Sequence, residues 1–109
     1  MDDNLDKVAM NMILYAGDAR GFVHEALNKV RENKIDEALK SLDEANKNLI
    51  SSHKFQTEVI QKACSGEKYE YNLLFAHAMD TLMTVQSEHE IARDLVLIFE
   101  ALNKRIEQI

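Results

Sequence analysis

A chain of 109 residues with no proline and only three glycines has room for one compact domain, but it lacks the turn residues that many short strands need. Its formal net charge of −6 argues against the basic surface that nucleic-acid binding requires, and no apolar run approaches the ~20 residues of a membrane span. The single cysteine, Cys64, excludes an internal disulfide, and from the acidic start, which lacks a long apolar run, we expect no signal peptide. We therefore predict one acidic cytoplasmic domain over residues 1–109, without direct membrane insertion.

The first predicted helix covers about residues 5–33. Its apolar residues recur at steps of three and four, as one face of an α-helix requires; they are Leu5, Val8, Met12, Ala16, Ala19, Val23, Ala26 and Val30. Asn33 tolerates the left-handed backbone that commonly closes a helix. Gly17 and Gly21 each destabilise a helix by ~1 kcal/mol relative to alanine. We expect these glycines to allow the close approach of another helix.

Two further helices follow, separated by short turns. The second is predicted over about residues 35–63, with a spine of Ile35, Leu39, Leu42, Leu49, Gln56, Val59 and Ala63. Gly66, in the sequence CSGEKYEY, supplies the next break, and a third helix is predicted from about Tyr71 to the C-terminus. Three long helices joined by short turns predict an all-α, antiparallel three-helix bundle.

The third predicted helix carries two stripes at helical spacing, although a small monomer needs only one apolar face. The first stripe, expected to pack on the other two helices, is Leu74, Ala78, Val85, Ala92, Val96 and Phe99. The second stripe is Leu73, His77, Asp80, Thr84, Ser87, Ile91, Leu95, Ile98 and Leu102. Its C-terminal half is aliphatic, like a coiled-coil seam, and its N-terminal half is polar. The second stripe therefore predicts packing against another chain.

His77 and Asp80 lie in this second stripe, within an otherwise apolar stretch. A lone histidine on such a helix is more often structural than catalytic, but an aspartate almost never lies unpaired in a packed seam. Several copies of the carboxylate meeting there would take up protons or bind a hard cation such as Mg²⁺ or Ca²⁺. The pair is thus either a polar plug that sets packing specificity or a reactive site at an interface.

Other chemistries lack their residues in this chain. A di-iron carboxylate bundle needs Glu-x-x-His pairs, which are absent, and the four histidines (His24, His53, His77 and His89) are too scattered for a zinc motif. There is no glycine-rich phosphate loop, and Cys64 has no evident base partner. We expect His24 and His89 to be surface residues and the SEHE segment to be solvated. What the residues leave open is a histidine nucleophile that accepts a phosphoryl group from another protein.

Three segments together resemble one protein family. HAMDTLMT, which begins at His77, resembles the signature His-Ala-Gln-Asp-His-Leu-Met-Thr of the lactose/cellobiose-type enzyme IIA proteins of the bacterial phosphoenolpyruvate-dependent sugar phosphotransferase system. AGDARGFVHEAL resembles the Gly-x-Ala-Arg segment of the family's first helix, and LISSHKFQTEVI resembles a pattern in its second. The likeness runs in order along nearly the whole chain.

This resemblance implies a homotrimer of three-helix bundles, with the third helices around the three-fold axis. The phosphorylated histidine falls on His77, and the aspartate that holds a divalent cation such as Mg²⁺ at the axis falls on Asp80. The phosphocarrier protein HPr donates the phosphoryl group, and a cognate enzyme IIB receives it for uptake of a β-linked disaccharide of the cellobiose, lactose or chitobiose type. The chain departs from the signature at Met79 and Thr81, where the family has glutamine and histidine that can hydrogen-bond near the reactive residue.

Other polar residues near the motifs have expected supporting roles, and two other functions are compatible with a helical bundle of this kind. Thr84, Ser87 or a neighbouring subunit would supply hydrogen bonds to the phosphoryl oxygens, and His53 would be a packing or polar-network residue. One alternative is a helical adaptor or sensor without chemistry, in which His77 and Asp80 only set register. The other is a two-component histidine-phosphotransfer domain, but such domains favour a lysine and a glycine shortly after the histidine, and HAMDTLM has neither.

Overall fold

The computed structural model describes residues 2–109, with side chains from Asn4 onward. It consists of three α-helices: α1 is Asp2–Arg31, α2 is Ile35–Cys64 and α3 is Leu73–Glu107. The described residues contain no strand, and none of these helices is both long and apolar enough to cross a membrane. The bundle is long and narrow, with extents of 63 × 21 × 17 Å. The prediction of an all-α three-helix fold is confirmed.

The ends of α1 and α2 are each followed by a residue with a left-handed backbone conformation. Asn33 has a φ of 61°, as the sequence predicted. The amides of Asn33 and Lys34 donate to the carbonyl oxygens of Val30 and Lys29, each at 2.8 Å, which satisfies the last carbonyls of α1. Gly66 repeats this arrangement after α2 with a φ of 103°. These two residues let the chain reverse direction within a few positions.

The start of α3 is fixed by Asn72. Its Oδ1 accepts a hydrogen bond of 2.8 Å from the amide of Phe75, which satisfies one of the free donors at a helix N-terminus. Its Nδ2 donates to Oδ1 of Asp6 at 2.7 Å and so joins the beginning of α3 to the beginning of α1. Because Asn72 is the cap, α3 starts at Leu73, two residues later than Tyr71, the predicted start.

The contacts between α1 and α3 show that these two helices run parallel. Besides the Asn72 contact, Arg20 Nε donates to Glu88 Oε1 at 2.9 Å, and Asn103 Nδ2 donates to Asn33 Oδ1 at 2.7 Å. The joined residues are 66, 68 and 70 positions apart from one end of the bundle to the other. A residue of α3 therefore lies level with the α1 residue that precedes it by 66 to 70 positions.

The core is built largely from small residues, so the helices pack closely. Eight of its members are alanines: Ala9, Ala16, Ala19, Ala26, Ala38, Ala45, Ala78 and Ala92. Ser52 of α2 is fully buried, and its hydroxyl donates to the carbonyl oxygen of Met12 at 2.9 Å, which satisfies it inside the core. This bond links α1 to the antiparallel α2.

The first stripe of α3 is buried where it meets the other helices. Four of its residues are buried as predicted: Ala78, Val85, Ala92 and Val96. The prediction for Phe99 is wrong, since the side chain is 46% exposed. It lies one turn before Asn103, where the α1–α2 turn closes the bundle and little helix surface is left to cover a ring. Phe75 and Leu82 are also buried, which the assigned stripe did not include.

The spine of α2 is buried in its central part. Leu42, Leu49 and Val59 are buried as predicted, but Ala63 is exposed, as is every residue from 60 to 71. The last turn of α2 and the following loop therefore contribute little to the core. Oε1 of Gln56 is buried without a hydrogen-bond partner among the described residues.

Candidate functional site

The second stripe of α3 is exposed along its whole length. Its aliphatic members have the following exposed fractions: Leu73 73%, Ile91 59%, Leu95 39%, Ile98 53% and Leu102 44%. Its four polar members, His77, Asp80, Thr84 and Ser87, are exposed as well. Because α3 already buries its first stripe, this second apolar face has no partner within the chain.

His77 lies on the side of α3 that borders α1. Residues 77, 81 and 88 share one side of the helix, because they are four and seven residues apart. Glu88 on this side contacts Arg20 of α1, so the side faces α1. In this part of the bundle, paired residues of α1 and α3 are 66 or 68 positions apart in the sequence. His77 is therefore level with residues 9–11 of α1. The imidazole is thus exposed on an open α1–α3 edge.

The two threonine hydroxyls nearest His77 donate to the helix backbone. Thr81 Oγ1 donates to the carbonyl oxygen of His77 at 2.8 Å, and Thr84 Oγ1 donates to that of Asp80 at 2.8 Å. A hydroxyl has one proton to donate. In this conformation neither threonine has a proton left for a phosphoryl group on His77.

Asp80 is exposed beside His77 on the second stripe. In the part of the chain that the structure describes, its carboxylate makes no hydrogen bond or ion pair. The described residues of one chain also contain no group of three His, Cys, Asp or Glu side chains that would hold a metal. Within one described chain, Asp80 is therefore not part of a three-residue metal site of this kind.

The two departures from the family signature occupy different places. Met79 is half-buried and packs against the core. It lies two residues from His77, about 200° around the helix, so within one chain it does not lie beside the imidazole. Thr81 is one turn along the same side as His77 and half-buried. Of the two, only the residue at position 81 adjoins His77 in this chain.

Two other histidines line a separate groove between α2 and α3. The groove has a volume of about 560 Å³, and His53 and His89 lie on its walls, whereas His77 does not. His53 is exposed, which does not fit the expected packing role, and its ring makes no hydrogen bond among the described residues that would fit the polar-network role. His89 is half-buried, and its Nε2 lies 3.0 Å from the carbonyl oxygen of Leu42, so the expectation of a surface residue is also wrong. The α1–α3 edge, with His77, is not part of this groove.

The expectation for the glycines of α1 is wrong within the chain. Gly17 and Gly21 are both exposed, and a Cβ built on either would meet no described atom within 4 Å beyond its own helix segment. No helix of the same chain approaches them. The SEHE segment is also less solvated than expected, because Glu88 pairs with Arg20 and His89 contacts α2.

His77 is thus an exposed histidine on a narrow helical bundle, outside the groove between α2 and α3. The family described as "PTS system, Lactose/Cellobiose specific IIA subunit" matches residues 7–100. The chain belongs to this family. It is therefore a phosphotransferase component of the sugar phosphotransferase system.

Individual relatives agree with this assignment over nearly their whole lengths. The lichenan-specific phosphotransferase enzyme IIA component of Bacillus subtilis is 30% identical over 105 residues, which are 96% of each chain. The crystal structure of the cellobiose-specific enzyme IIA from Bacillus anthracis superposes with a TM-score of 0.86 at 33% identity and covers 92% of both chains. A solution structure of the IIA(Chitobiose)-HPr complex superposes with a TM-score of 0.80 at 26% identity and covers 91% of this chain and 96% of that one.

Proposed function

We propose that this protein carries a phosphoryl group on His77. It accepts the group from phospho-HPr and passes it to a cognate enzyme IIB in the cytoplasm, for uptake of a β-linked disaccharide. The observation that carries the proposal is the exposure of His77 on the open α1–α3 edge, next to Asp80. A protein-bound phosphoryl group has to be reached by the surfaces of two large partners in turn, and an exposed helix edge allows this.

The chemical step needs little from the chain itself. The lone pair of one ring nitrogen of His77 forms a new bond to phosphorus while the bond from phosphorus to the donor breaks, and the donor's leaving group keeps the electron pair. Phosphoryl transfer depends mostly on position and on stabilisation of charge. Since the hydroxyls of Thr81 and Thr84 donate to the backbone, a second chain or the partner would supply the donors that these two threonines do not.

The second stripe supports assembly as a homotrimer with α3 at the centre. From Leu73 to Leu102 its nine residues advance by 29 residues in eight steps, about 3.6 residues a step, which suits nearly straight helices packed side by side. In its C-terminal half, Leu95 and Leu102 take heptad position a, and Ile91 and Ile98 take position d. In parallel coiled coils, leucine at a with isoleucine at d favours trimers or tetramers over dimers.

Asp80 would then hold a divalent cation on the axis. Three exposed carboxylates, one from each copy, would repel one another unless a cation or protons compensate them. Oxygen ligands of this kind suit a hard cation such as Mg²⁺. Metal analysis of the purified trimer should find one bound ion for three chains, and Asp80→Leu should abolish it; an unchanged ion content in that variant would exclude this site.

The sugar class rests on the relatives. Their names specify lichenan, cellobiose and chitobiose, which are all β-linked glycans. We propose a β-linked disaccharide as the transported sugar, although no sugar touches this chain in the proposed reaction.

A reconstituted relay tests the proposed function. The protein is mixed with phosphoenolpyruvate, enzyme I and HPr, and its intact mass is followed before and after enzyme IIB is added. We expect the gain of one acid-labile phosphoryl group, followed by its loss to enzyme IIB. If a control enzyme IIA is phosphorylated and this protein stays unmodified, the carrier role is wrong. The non-catalytic adaptor would then be the better interpretation.

A further inference from the structure

His77 and Asp80 lie close together in the polar half of the second stripe. They are three residues apart within α3, a spacing that brings Cβ atoms to about 5–6 Å on a helix surface. Both side chains are exposed, and the carboxylate of Asp80 makes no ion pair among the described residues. A charge placed on His77 would therefore act at short range on any ion that Asp80 binds.

The helix segments around this pair contain no lysine or arginine. None occurs in residues 73–92 of α3, and residues 8–17 of α1 carry no charged side chain at all. His77 is level with residues 9–11, so this uncharged segment is the part of α1 that borders it. A phosphoryl group on His77 would therefore have no cationic side chain from these segments beside it.

The cations that flank these segments lie elsewhere on the bundle. Arg20 is held by Glu88 in an ion pair of 2.9 Å. Lys54 and Arg93 line the groove between α2 and α3, which is separate from the second stripe. Lys7 is exposed and lies about 140° around α1 from Arg20, which faces α3. These four cations therefore belong to other parts of the surface.

Phosphorylation would concentrate negative charge in the polar half of the second stripe. A phosphorylated side chain carries about −1.5 to −2 charges at neutral pH, so each copy would hold roughly three negative charges there instead of one. In the proposed trimer, three such groups would face one another along the seam. Like charges this close repel one another, and a bound divalent cation would offset the repulsion.

We propose that phosphorylation of His77 and the binding of a divalent cation at Asp80 strengthen each other. The proposal rests on the proposed function and on the cation proposed for Asp80, and it adds the coupling between them. By thermodynamic linkage, the cation favours the phosphorylated form to the same degree that phosphorylation favours the cation. The concentration of free divalent cation would thus set how strongly this protein holds its phosphoryl group.

Isothermal titration calorimetry with Mg²⁺ measures the coupling. The unmodified protein is compared with the same protein after phosphorylation by phosphoenolpyruvate, enzyme I and HPr and purification at mildly alkaline pH. We expect the dissociation constant for Mg²⁺ to fall at least about fivefold on phosphorylation, which is the lower end of typical couplings between sites. Because the coupling is electrostatic, the difference should shrink when the ionic strength is raised.

His77→Glu and His77→Gln form a matched pair that needs no phosphorylation. The two new side chains have nearly the same size, but glutamate adds a negative charge and glutamine adds none. We expect His77→Glu to bind Mg²⁺ at least about twofold more tightly than His77→Gln. This difference is smaller than the one expected from phosphorylation, because glutamate adds less charge than a phosphoryl group.

Asp80→Asn tests whether the coupling acts through the carboxylate. This variant lacks the proposed ligand, so its binding of Mg²⁺ should be weak both with and without phosphorylation. Tight binding to the phosphorylated variant would mean that the phosphoryl group holds the ion alone, and the coupling with Asp80 would be overturned.

The outcomes separate this proposal from the proposed function. If the parent protein is phosphorylated and both of its forms bind Mg²⁺ equally well, the coupling is wrong, while the carrier role and the cation site stand. If neither form binds Mg²⁺, the cation at Asp80 is wrong and the coupling falls with it. If the parent protein takes up no phosphoryl group, the proposed function itself fails, and the coupling fails as well.

Discussion

At the scale of single residues, the hydroxyl groups closest to His77 hydrogen-bond to the backbone of their own helix. Thr81 and Thr84 each donate to the carbonyl oxygen four residues earlier, which is a common habit of threonine in helices. The hydroxyls are then acceptors only, and a phosphoryl group at neutral pH presents mostly acceptors. The structure thus argues against Thr84 as a donor to the phosphoryl oxygens, a role that the sequence left open.

Replacement of Thr84 by valine tests this argument. Valine has nearly the shape of threonine and lacks only the hydroxyl, whose proton is already used. We expect the rate of phosphorylation of Thr84→Val by phospho-HPr to stay within about twofold of the parent protein. A fall of about tenfold or more in a mass-spectrometric time course would mean that the hydroxyl turns toward the phosphoryl group.

Ser52 provides a residue-scale test of the fold. Its buried hydroxyl bonds across to Met12 of α1, while the hydroxyl of its neighbour Ser51 bonds within α2, to the carbonyl oxygen of Lys47. Ser52→Ala should lower the free energy of unfolding by about 1 kcal/mol, and Ser51→Ala should leave it nearly unchanged. Urea unfolding at one protein concentration measures both. Equal effects would show that the bond between the helices does not matter.

His77 and Asp80 could be identified from the sequence because they interrupt an apolar periodicity and match a family signature. The packing of Met79 against the core could not be identified in this way, because it depends on how α3 is rotated in the bundle. The contact of His89 with the backbone of α2 depends on the register between two helices and was likewise invisible in the sequence.

At the scale of helices, the bounds of α2 followed closely from periodicity and from Gly66, whereas α1 begins at Asp2, three residues before the predicted start, and ends at Arg31, just before Asn33. The start of α3 was set by a side-chain cap at Asn72, which is a local interaction that apolar periodicity does not reveal. Phe99 and Ala63 fit the apolar pattern, but both are exposed because the neighbouring helices do not extend far enough to cover them. Periodicity identifies the face of a helix, but the lengths of its neighbours decide how much of that face is covered.

The glycines of α1 yield an element-scale prediction. Gly17→Ala and Gly21→Ala should each raise the free energy of unfolding by about 0.5–1 kcal/mol, because alanine favours the helix and its Cβ has free space. Gly66→Ala should have the opposite sign, since a φ of 103° suits glycine alone. Thermal or urea unfolding measures all three. A loss of stability in Gly17→Ala would show that another chain packs against that position.

At the scale of the whole molecule, one chain leaves a long apolar face of α3 uncovered, which is the reason for proposing a trimer. Ile98 lies on this face and is 53% exposed, and its neighbour Leu97 is 42% exposed on another side of α3. Ile98→Glu places a charge in the proposed seam and should convert the trimer to monomers of 12.5 kDa.

Leu97→Glu is the control for that experiment, since it changes a neighbouring exposed leucine outside the seam, and it should keep three times the monomer mass. Light scattering coupled to gel filtration distinguishes the two states. If Ile98→Glu keeps the parent mass, α3 does not lie at the centre of the assembly. If the parent protein is a monomer, the homotrimer itself is wrong.

The measurement that tests the central claim most directly is the location of the phosphoryl group. The protein is phosphorylated by phosphoenolpyruvate, enzyme I and HPr, and the modified residue is identified by tandem mass spectrometry under mild alkaline conditions, alongside single alanine variants of the four histidines. We predict that the group is on His77, that His77→Ala takes up none, and that His24→Ala, His53→Ala and His89→Ala remain substrates. A phosphoryl group on any other histidine, or full uptake by His77→Ala, would contradict the account.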